Sequence, residues 1–185
     1  MRIVVGISGG SGAIYGISLL KALKELNHET HLVVSTMGEY VIKYECGISL
    51  EEVKSLASYY HDNKNFAAPI SSGSFQVDKT IVVPCSMKTL AGVANGFSDS
   101  LISRACDVAI KEGRKLILVP RETPLSPIHL ENMLNLSKMG VIIFPPAPGF
   151  YNNPETLEDI VLNITGKLLD LLDIDNNLIQ RWKGL

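Results

Sequence analysis

The sequence predicts an α/β fold built on a doubly wound, mainly parallel sheet. Short apolar runs rich in Val and Ile alternate with amphipathic segments along nearly the whole chain, and this alternation is typical of such sheets. The runs are continuously apolar, as expected for strands covered by helices on both faces. With 185 residues, of which 46% are hydrophobic, the chain can bury one sizeable core, so we expect a single domain over residues 1–185.

Each predicted strand is a short run dominated by β-branched or other large apolar residues. The strands are predicted at residues 3–7 (IVVGI), 31–34 (HLVV), 80–83 (TIVV), 116–119 (LILV) and 141–144 (VIIF). The first strand stops at a glycine-rich segment, which indicates a turn.

The predicted helices follow the strands and show apolar residues at helical spacing. They are expected at residues 13–26, from 88 onward, at 99–112, from 126 to about 140 and from about 154 to 172. Ser126 and Pro127 supply an N-cap and a first-turn proline. The segment 57–78 fits neither pattern, and an irregular stretch of that length is usually functional or disordered.

Composition excludes several classes of protein. The net charge of -2 is spread along the chain, which argues against binding to nucleic acid or a membrane surface. No apolar run approaches the roughly 20 residues of a membrane span. We expect no signal peptide, because Arg2 leads straight into a short apolar run that stops at glycines. Cys46, Cys85 and Cys106 are widely spaced, so we expect neither disulfides nor a zinc site, and we expect a cytoplasmic protein.

The candidate site lies where the strands end, because ligands of doubly wound sheets bind outside the carboxyl ends of the strands. Hydroxyls, glycines and an arginine occupy those positions, in residues 8–13, 35–36, 84–89, 120–124 and 145–151. Glycine allows the backbone to approach an anion closely, and a following helix N-terminus offers free N–H groups.

The loop after the first strand does not match the common nucleotide motifs. A GxGxxG pattern starting at Gly10 would need glycine where Tyr15 stands, and there is no GxxxxGK. Ser35 follows the second strand where a dinucleotide fold usually has an acid. The loop therefore suits a phosphate monoester better than a dinucleotide, although tight-turn packing is an equally simple explanation for its glycines.

Two further candidates differ in their simplest explanation. Cys85 follows a strand and is more often a small buried filler than a nucleophile. Arg121 and Glu122 stand between prolines, and an ion pair fixed there would cost desolvation energy without an obvious structural return. We therefore expect the Arg121–Glu122 pair to be functional.

Four segments together resemble the UbiX/Pad flavin prenyltransferases: residues 8–16 (SGGSGAIYG), 84–90 (PCSMKTL), 120–125 (PRETPL) and 145–151 (PPAPGFY). The resemblance extends over essentially the full chain in the same order and spacing. It implies a Rossmann-like flavoprotein fold and transfer of the dimethylallyl group from dimethylallyl monophosphate to reduced FMN. Bonds form at flavin N5 and C6, and prenylated FMN is then used by a separate decarboxylase of the UbiD type.

The resemblance also assigns roles to particular residues. FMN would be held by Gly9, Gly10, Ser11, Ser35, Ser86, Met87, Lys88, Thr89 and Arg121. Catalytic roles would fall to Ser11, Glu45, Lys111 and Glu122, and the prenyl phosphate would be bound by Arg104, Lys111, Tyr151 and Lys167. Some relatives have arginine where Lys167 stands, and many have alanine at Gly10. Members of the family assemble as dodecamers, so a homo-oligomer is implied.

Metal is not expected in this chemistry. The sequence lacks the aspartate-rich DDxxD cluster with which isoprenoid synthases hold magnesium on a diphosphate. A monophosphate leaving group neutralised by Lys, Arg and Tyr needs no metal ion.

Two other functions stay open on the sequence. An FMN-dependent cysteine decarboxylase of the phosphopantothenoylcysteine type relies on a histidine after an early strand, whereas His28 and His31 lie at the amino-terminal side of the second strand. A non-catalytic flavin-binding protein would keep the phosphate loop but would need neither Glu45 nor the Arg121–Glu122 pair. Turnover with a prenyl phosphate and reduced flavin would separate the three.

Overall fold

A computed structural model of the chain describes residues 1–179, 181 and 184. It has a six-stranded parallel sheet in the order β3-β2-β1-β4-β5-β6. The strands are β1 (Arg2–Ile7), β2 (Glu29–Val34), β3 (Tyr59–Asp62), β4 (Lys79–Cys85), β5 (Lys115–Pro120) and β6 (Ile142–Ile143). The doubly wound parallel sheet predicted from the apolar runs is confirmed.

Seven α-helices lie between or after the strands of the described chain. They are α1 (Ala13–Glu25), α2 (Thr36–Val41), α3 (Leu50–Lys54), α4 (Met87–Ala94), α5 (Leu101–Lys111), α6 (Pro127–Lys138) and α7 (Leu157–Leu171). A π-helix, Ile42–Cys46, continues directly from α2, and a 3₁₀ turn covers Pro69–Ser71. Helix α6 begins as predicted, with Ser126 as N-cap and Pro127 in the first turn.

The segment 57–78, predicted to be irregular, contains the edge strand β3. Its residues Tyr59 to Asp62 pair in parallel with His31 to Val34 of β2. The apolar pattern misses this strand because it lies at the sheet edge, where its side chains are exposed or half-buried. Strand β3 therefore extends the sheet beyond β2. It places Asn63 at the same end of the sheet as the carboxyl ends of the other strands.

The core lies on both faces of the sheet. On one face, strand residues such as Val5 and Ile81 pack with α1 and α7, and on the other, residues such as Val4 and Val82 pack with α4, α5 and α6. Successive residues of a strand thus face opposite helical layers, which explains why the strands are apolar throughout. No helix of the described residues is long and apolar enough to cross a membrane.

The strand order fixes where a ligand site can form. The chain passes from β1 outward through β2 and β3, then returns to place β4 on the other side of β1. The loops that leave β1 and β4 therefore diverge to opposite faces of the sheet, and the crevice between them is the usual ligand site of this topology.

Candidate functional site

A cleft of about 580 Å³ opens at the carboxyl end of the sheet. This volume is typical of small-ligand sites. Segments following β1, β2, β3 and β4 all contribute to its walls: Gly9, Ser35, Asn63, Ser86, Lys88 and Thr89 are among the lining residues. The structure thus brings together five of the predicted FMN-binding residues (Gly9, Ser35, Ser86, Lys88 and Thr89).

Three helices begin at this cleft, and each has a serine N-cap that lines it. Ser35 Oγ accepts the Gly38 N–H at 3.0 Å, Ser86 Oγ accepts the Thr89 N–H at 3.3 Å, and Ser100 Oγ accepts the Ser103 N–H at 3.3 Å. Helix N-termini present unpaired N–H groups and a partial positive charge. Their convergence makes the cleft suited to a ligand that carries an anionic group.

The glycines after β1 allow close packing at the cleft. A Cβ on Gly9 would lie 2.6 Å from Cβ of Met37, so this position has no room for a side chain unless α2 moves. A Cβ on Gly10 would lie 3.3 Å from Cβ of Pro84, a tight but tolerable contact. Gly9 is therefore required by close packing against the start of α2. Gly10 leaves room for an alanine, the residue at this position in many members of the family that the four segments resemble.

Glu45 lies on the π-helix and reaches the N-terminus of α1. Its Oε2 accepts the N–H groups of Gly12 at 2.8 Å and Ala13 at 3.2 Å, and its carboxylate is hydrogen-bonded to the Ser11 side chain. Burial raises the pKa of Glu45, but the hydrogen bonds from Ser11, Gly12 and Ala13 and the charge of Arg121 lower it further, so the pKa lies below its ordinary value. Ser11, Glu45 and Arg121 therefore form one cluster with an ionised carboxylate.

Arg121 and Glu122, the two residues expected to be functional, do not form an ion pair with each other. Both residues follow β5 and are exposed, and no salt bridge among the described residues joins them. Glu122 Oε1 instead accepts the N–H of Thr123 at 3.0 Å, and Arg121 acts on Glu45 through its charge. Successive side chains at a strand end point in different directions. The two residues therefore carry no desolvation cost as an ion pair, and such a cost is no evidence that they are functional.

Arg104 and Lys111 lie on α5, which starts at the cleft and runs back along the sheet towards the start of β5. Arg104 donates from Nε to the carbonyl of Ser71 at 3.0 Å and from Nη1 to Asp107 at 2.5 Å. Lys111 forms an ion pair with Glu112. At about 1.5 Å per residue, Lys111 lies roughly 15 Å along the helix from its first residue. Lys111 is therefore remote from the cleft of its own chain.

Tyr151 and Lys167 also lie away from the lining of the cleft. Tyr151 is exposed in the segment after β6, at the far edge of the sheet from β2. Lys167 is exposed on the third turn of α7, whose inward residues Ile164 and Leu168 pack on the core. Met87, a predicted FMN-binding residue, is half-buried with its side chain packed against the core, and it is not among the residues that line the cleft.

Sequence reasoning missed several cleft residues. Asn63 follows the overlooked strand β3, and its Oδ1 accepts the N–H of Ile102 at 3.1 Å at the start of α5. Ser100 and Ser103 form a capping box there, and the pattern S-x-x-S was available in the sequence. At the cleft wall, Lys88 Nζ donates to Asp99 at 3.0 Å. No cluster of three or more His, Cys, Asp or Glu in the described part of the chain is placed to hold a metal ion.

The comparisons with known proteins identify a flavoprotein. The flavoprotein family matches residues 1–180. The flavin prenyltransferase UbiX of Methanocaldococcus jannaschii is 50% identical over 98% of this chain and 98% of its own length. The mitochondrial flavin prenyltransferase PAD1 of Saccharomyces cerevisiae is 53% identical over 100% of this chain and 76% of its own length.

Two solved structures superpose on the whole chain. AnUbiX (PadA1), in complex with FMN and dimethylallyl pyrophosphate, has a TM-score of 0.98 and 52% identity, covering 100% of this chain and 98% of that one. A dodecameric FMN-dependent UbiX-like decarboxylase from Escherichia coli O157:H7 also has a TM-score of 0.98 and 52% identity, with 100% of both chains covered. The peptidyl-cysteine decarboxylase EpiD, at 18% identity and a TM-score of 0.63, shares only the fold.

The fold and the cleft define a flavoprotein, as the match over residues 1–180 shows. Within that class, the chain belongs to the UbiX-like flavin prenyltransferases, to which its 50% identity with the Methanocaldococcus enzyme assigns it. The family resemblance seen in the strand-end segments is confirmed, and the cysteine-decarboxylase alternative is left with a shared fold alone.

Proposed function

We propose that this chain, as a single FMN-binding domain, transfers the dimethylallyl group of a dimethylallyl phosphate to reduced FMN and supplies prenylated FMN to a UbiD-type decarboxylase. The chief support is the Ser11–Glu45–Arg121 cluster. Its Ser11 is two residues from Gly9, which lines a cleft suited to an anionic ligand. A flavin-storage protein needs the cleft but not an ionised carboxylate held beside a hydroxyl. The complex of AnUbiX with FMN and dimethylallyl pyrophosphate, at 52% identity, favours the same reaction.

The residues of the cleft fit FMN. Gly9 has no room for a side chain, and the N-termini of α2, α4 and α5 converge there. These features would hold the phosphate through N–H groups and hydroxyls, with Arg121 adding a positive charge. The proposed FMN-binding residues are Gly9, Gly10, Ser11, Ser35, Ser86, Met87, Lys88, Thr89 and Arg121. When bound in its reduced form, FMN supplies the nucleophilic ring atoms N5 and C6.

Proton handling falls to Ser11, Glu45 and Glu122. The lowered pKa of Glu45 keeps its carboxylate ionised at neutral pH, so it can accept the Ser11 hydroxyl hydrogen and orient the lone pairs of that oxygen. Two backbone N–H groups hold Glu45 in place, which fixes the direction of the Ser11 contact. Glu122 follows β5, where its exposed carboxyl accepts the N–H of Thr123, and we assign it a general acid–base role.

The prenyl phosphate is bound by Arg104, Lys111, Tyr151 and Lys167. Lys111 and Lys167 lie away from the cleft of their own chain, and Arg104 is directed towards Ser71 and Asp107. A homo-oligomer, dodecameric like the Escherichia coli structure, would bring these side chains to the sites of neighbouring subunits. Their positive charges would then neutralise the leaving phosphate without a metal ion.

The compartment we propose is the cytoplasm. Cys85 and Cys106 are buried free thiols, and burial raises the pKa of both, so they are unreactive core residues of the kind common in reducing compartments. Fractionation of cells that express the chain, followed by immunodetection, tests this proposal.

The proposed reaction is tested by anaerobic incubation of the purified chain with reduced FMN and dimethylallyl monophosphate. Mass analysis should show a flavin heavier by one dimethylallyl unit, and the product should activate an apo UbiD-type decarboxylase. Parallel reactions with dimethylallyl pyrophosphate and with no donor establish the leaving group and the background. Unmodified flavin with both donors would overturn the proposal.

A further inference from the structure

Ser8 is a buried hydroxyl at the junction of β1 and β4 to which no role has been given so far. It directly follows β1 and is 1% exposed. Its N–H donates to the carbonyl of Pro84 at 3.1 Å, and its Oγ donates to the same carbonyl at 3.0 Å. The same Oγ accepts the N–H of Ser86 at 2.7 Å. Ser8 therefore joins the two strands just beyond the point where both end.

The regular ladder between these strands stops before this point. The β1–β4 pairing ends at Gly6 with Val82, and the register of β4 shifts between Val82 and Cys85 against β5. Beyond Gly6 and Val82, regular strand pairing does not set the distance between the end of β1 and the end of β4. The contacts of Ser8 with Pro84 and Ser86 provide the connection that the interrupted ladder lacks.

From Ser8 the hydrogen bonds continue to the wall of the cleft. Ser86 Oγ accepts the N–H of Thr89 at 3.3 Å and lies 3.1 Å from Thr89 Oγ1. Ser86 and Thr89 line the cleft, and so does Gly9, the residue after Ser8. The position of Ser8 thus determines how far the glycine loop lies from the N-terminus of α4.

We infer that Ser8 is a positioning residue for the flavin phosphate: its hydroxyl holds the Gly9 loop and the N-terminus of α4 at the separation that lets both contact one anion. The inference rests on the proposed function, since it concerns the same cleft. Ser8 is buried and so does not itself touch the ligand. It acts by aiming the Ser86 N-cap, whose N–H groups and hydroxyl would otherwise shift with the irregular end of β4.

The test compares equilibrium binding of FMN and of riboflavin, which lacks the phosphate, to the purified full-length chain. Ser8→Ala leaves the N–H of Ser86 without its acceptor, and we expect FMN binding to weaken about tenfold, a loss typical of one unmade buried hydrogen bond. Riboflavin binding should change little, so the ratio of the two affinities should fall. Ser8→Thr keeps the hydroxyl and should restore most of that ratio.

A matched control is Thr165→Val on α7. Thr165 is also fully buried, with Oγ1 within 2.8 Å of both Val161 O and Ser18 Oγ. Its side chain faces α1, and Thr165 is not among the residues that line the cleft. Its loss should lower the free energy of unfolding as Ser8→Ala does, but should leave the ratio of FMN to riboflavin affinity unchanged.

Two results would overturn the inference: wild-type FMN affinity in Ser8→Ala, or equal weakening of FMN and riboflavin, which would show that Ser8 serves only the fold. If Ser8→Ala does not fold, Ser8→Cys gives the same comparison with a weaker donor and acceptor, and an unchanged affinity ratio in that variant would also overturn the inference. A wild-type chain that binds no FMN would refute the proposed function instead. The two failures are therefore distinguishable.

Discussion

Glu45 caps the first helix of the fold from the π-helix that follows α2, since its Oε2 accepts the N–H of Gly12 at 2.8 Å. Gly12 stands at the N-cap of α1 with a positive φ of 99° and has no side chain with which to cap it. A carboxylate at this position is favoured by the partial positive charge of the helix N-terminus. The same carboxylate is hydrogen-bonded to Ser11. Glu45 therefore both caps the N-terminus of α1 and orients the Ser11 hydroxyl.

Glu45→Gln should separate these two roles. The amide oxygen can still accept the Gly12 N–H, so we expect the free energy of unfolding to fall by only about 1 kcal/mol. The charge is lost, and the rate of prenyl transfer should fall roughly 100-fold, as is typical for an acid–base residue. Single-turnover assays and urea unfolding measure the two effects. Glu25→Gln, an exposed change on α1, is the control and should affect neither.

Ser11→Ala and Arg121→Ala should differ in their effect on FMN binding. Ser11 is one of several hydroxyl and N–H donors near the cleft, so its loss should cost about 1 kcal/mol of binding free energy. Arg121 forms no hydrogen bond or salt bridge with another described residue, which leaves its guanidinium available to a ligand, and its loss should cost about 2 to 3 kcal/mol. Isothermal titration with FMN measures both. Equal losses would show that the larger contribution assigned to Arg121 is wrong.

Prenyl transfer should not depend on a divalent metal. Within the described residues, no group of three or more His, Cys, Asp or Glu is placed to bind one, and the proposed phosphate ligands are cationic. Activity after dialysis against EDTA should equal that of the untreated enzyme, and added magnesium should not increase it. Loss of activity with EDTA and its return with magnesium would contradict this.

Much of this site could be predicted from the sequence because its residues follow strands. The strands β1, β4 and β5 are buried and apolar, so their ends, and with them Gly9, Ser86 and Arg121, were located directly. Strand β3 was missed because edge strands need no apolar run, and Asn63 was missed with it.

Other features depend on contacts between distant segments. The Glu45–Gly12 hydrogen bond and the bridge from Ser8 to Ser86 join residues far apart in sequence. Local periodicity carries no information about such contacts. The π-helix that presents Glu45 was also unpredictable, since it differs from an α-helix by one residue in hydrogen-bond spacing.

Acid should weaken the fold through Glu29 at the start of β2. Its Oε1 accepts a hydrogen bond from Arg2 Nε at 2.6 Å and lies 2.9 Å from Nε2 of His31. The hydrogen bond from Arg2, followed by that from His31, lowers the pKa of Glu29 from 4.5 to about 2. A lowered folded-state pKa stabilises the fold at pH values above 4.5, and this contribution is lost as the pH falls from 4.5 through about 2.

The measurement is urea unfolding of the wild type and Glu29→Gln across that pH range. The wild type should be the more stable at neutral pH, and the difference should shrink as the pH falls. Because Glu29 is over a third exposed, the difference should be modest. A difference that does not vary with pH would mean that the carboxylate charge contributes nothing.

Glu122→Gln distinguishes a catalytic carboxyl from a loop residue. The side chain of Glu122 accepts only the N–H of Thr123 among the described residues, and glutamine keeps that hydrogen bond through its amide oxygen. We therefore expect normal folding and nearly normal FMN affinity. The titratable proton is lost, and prenyl transfer should fall by roughly 100-fold or more, because ring closure at flavin C6 must release a proton to a base.

A comparison with Glu122→Asp identifies the role of the carboxyl. If Glu122 acts as the base, Glu122→Asp, which keeps a carboxylate on a shorter side chain, should retain more activity than Glu122→Gln. The Glu25→Gln control should retain wild-type activity. Wild-type turnover in Glu122→Gln would reduce Glu122 to a residue that fixes the Thr123 turn, and Glu45, with its ionised carboxylate against Ser11, would then be the proton acceptor.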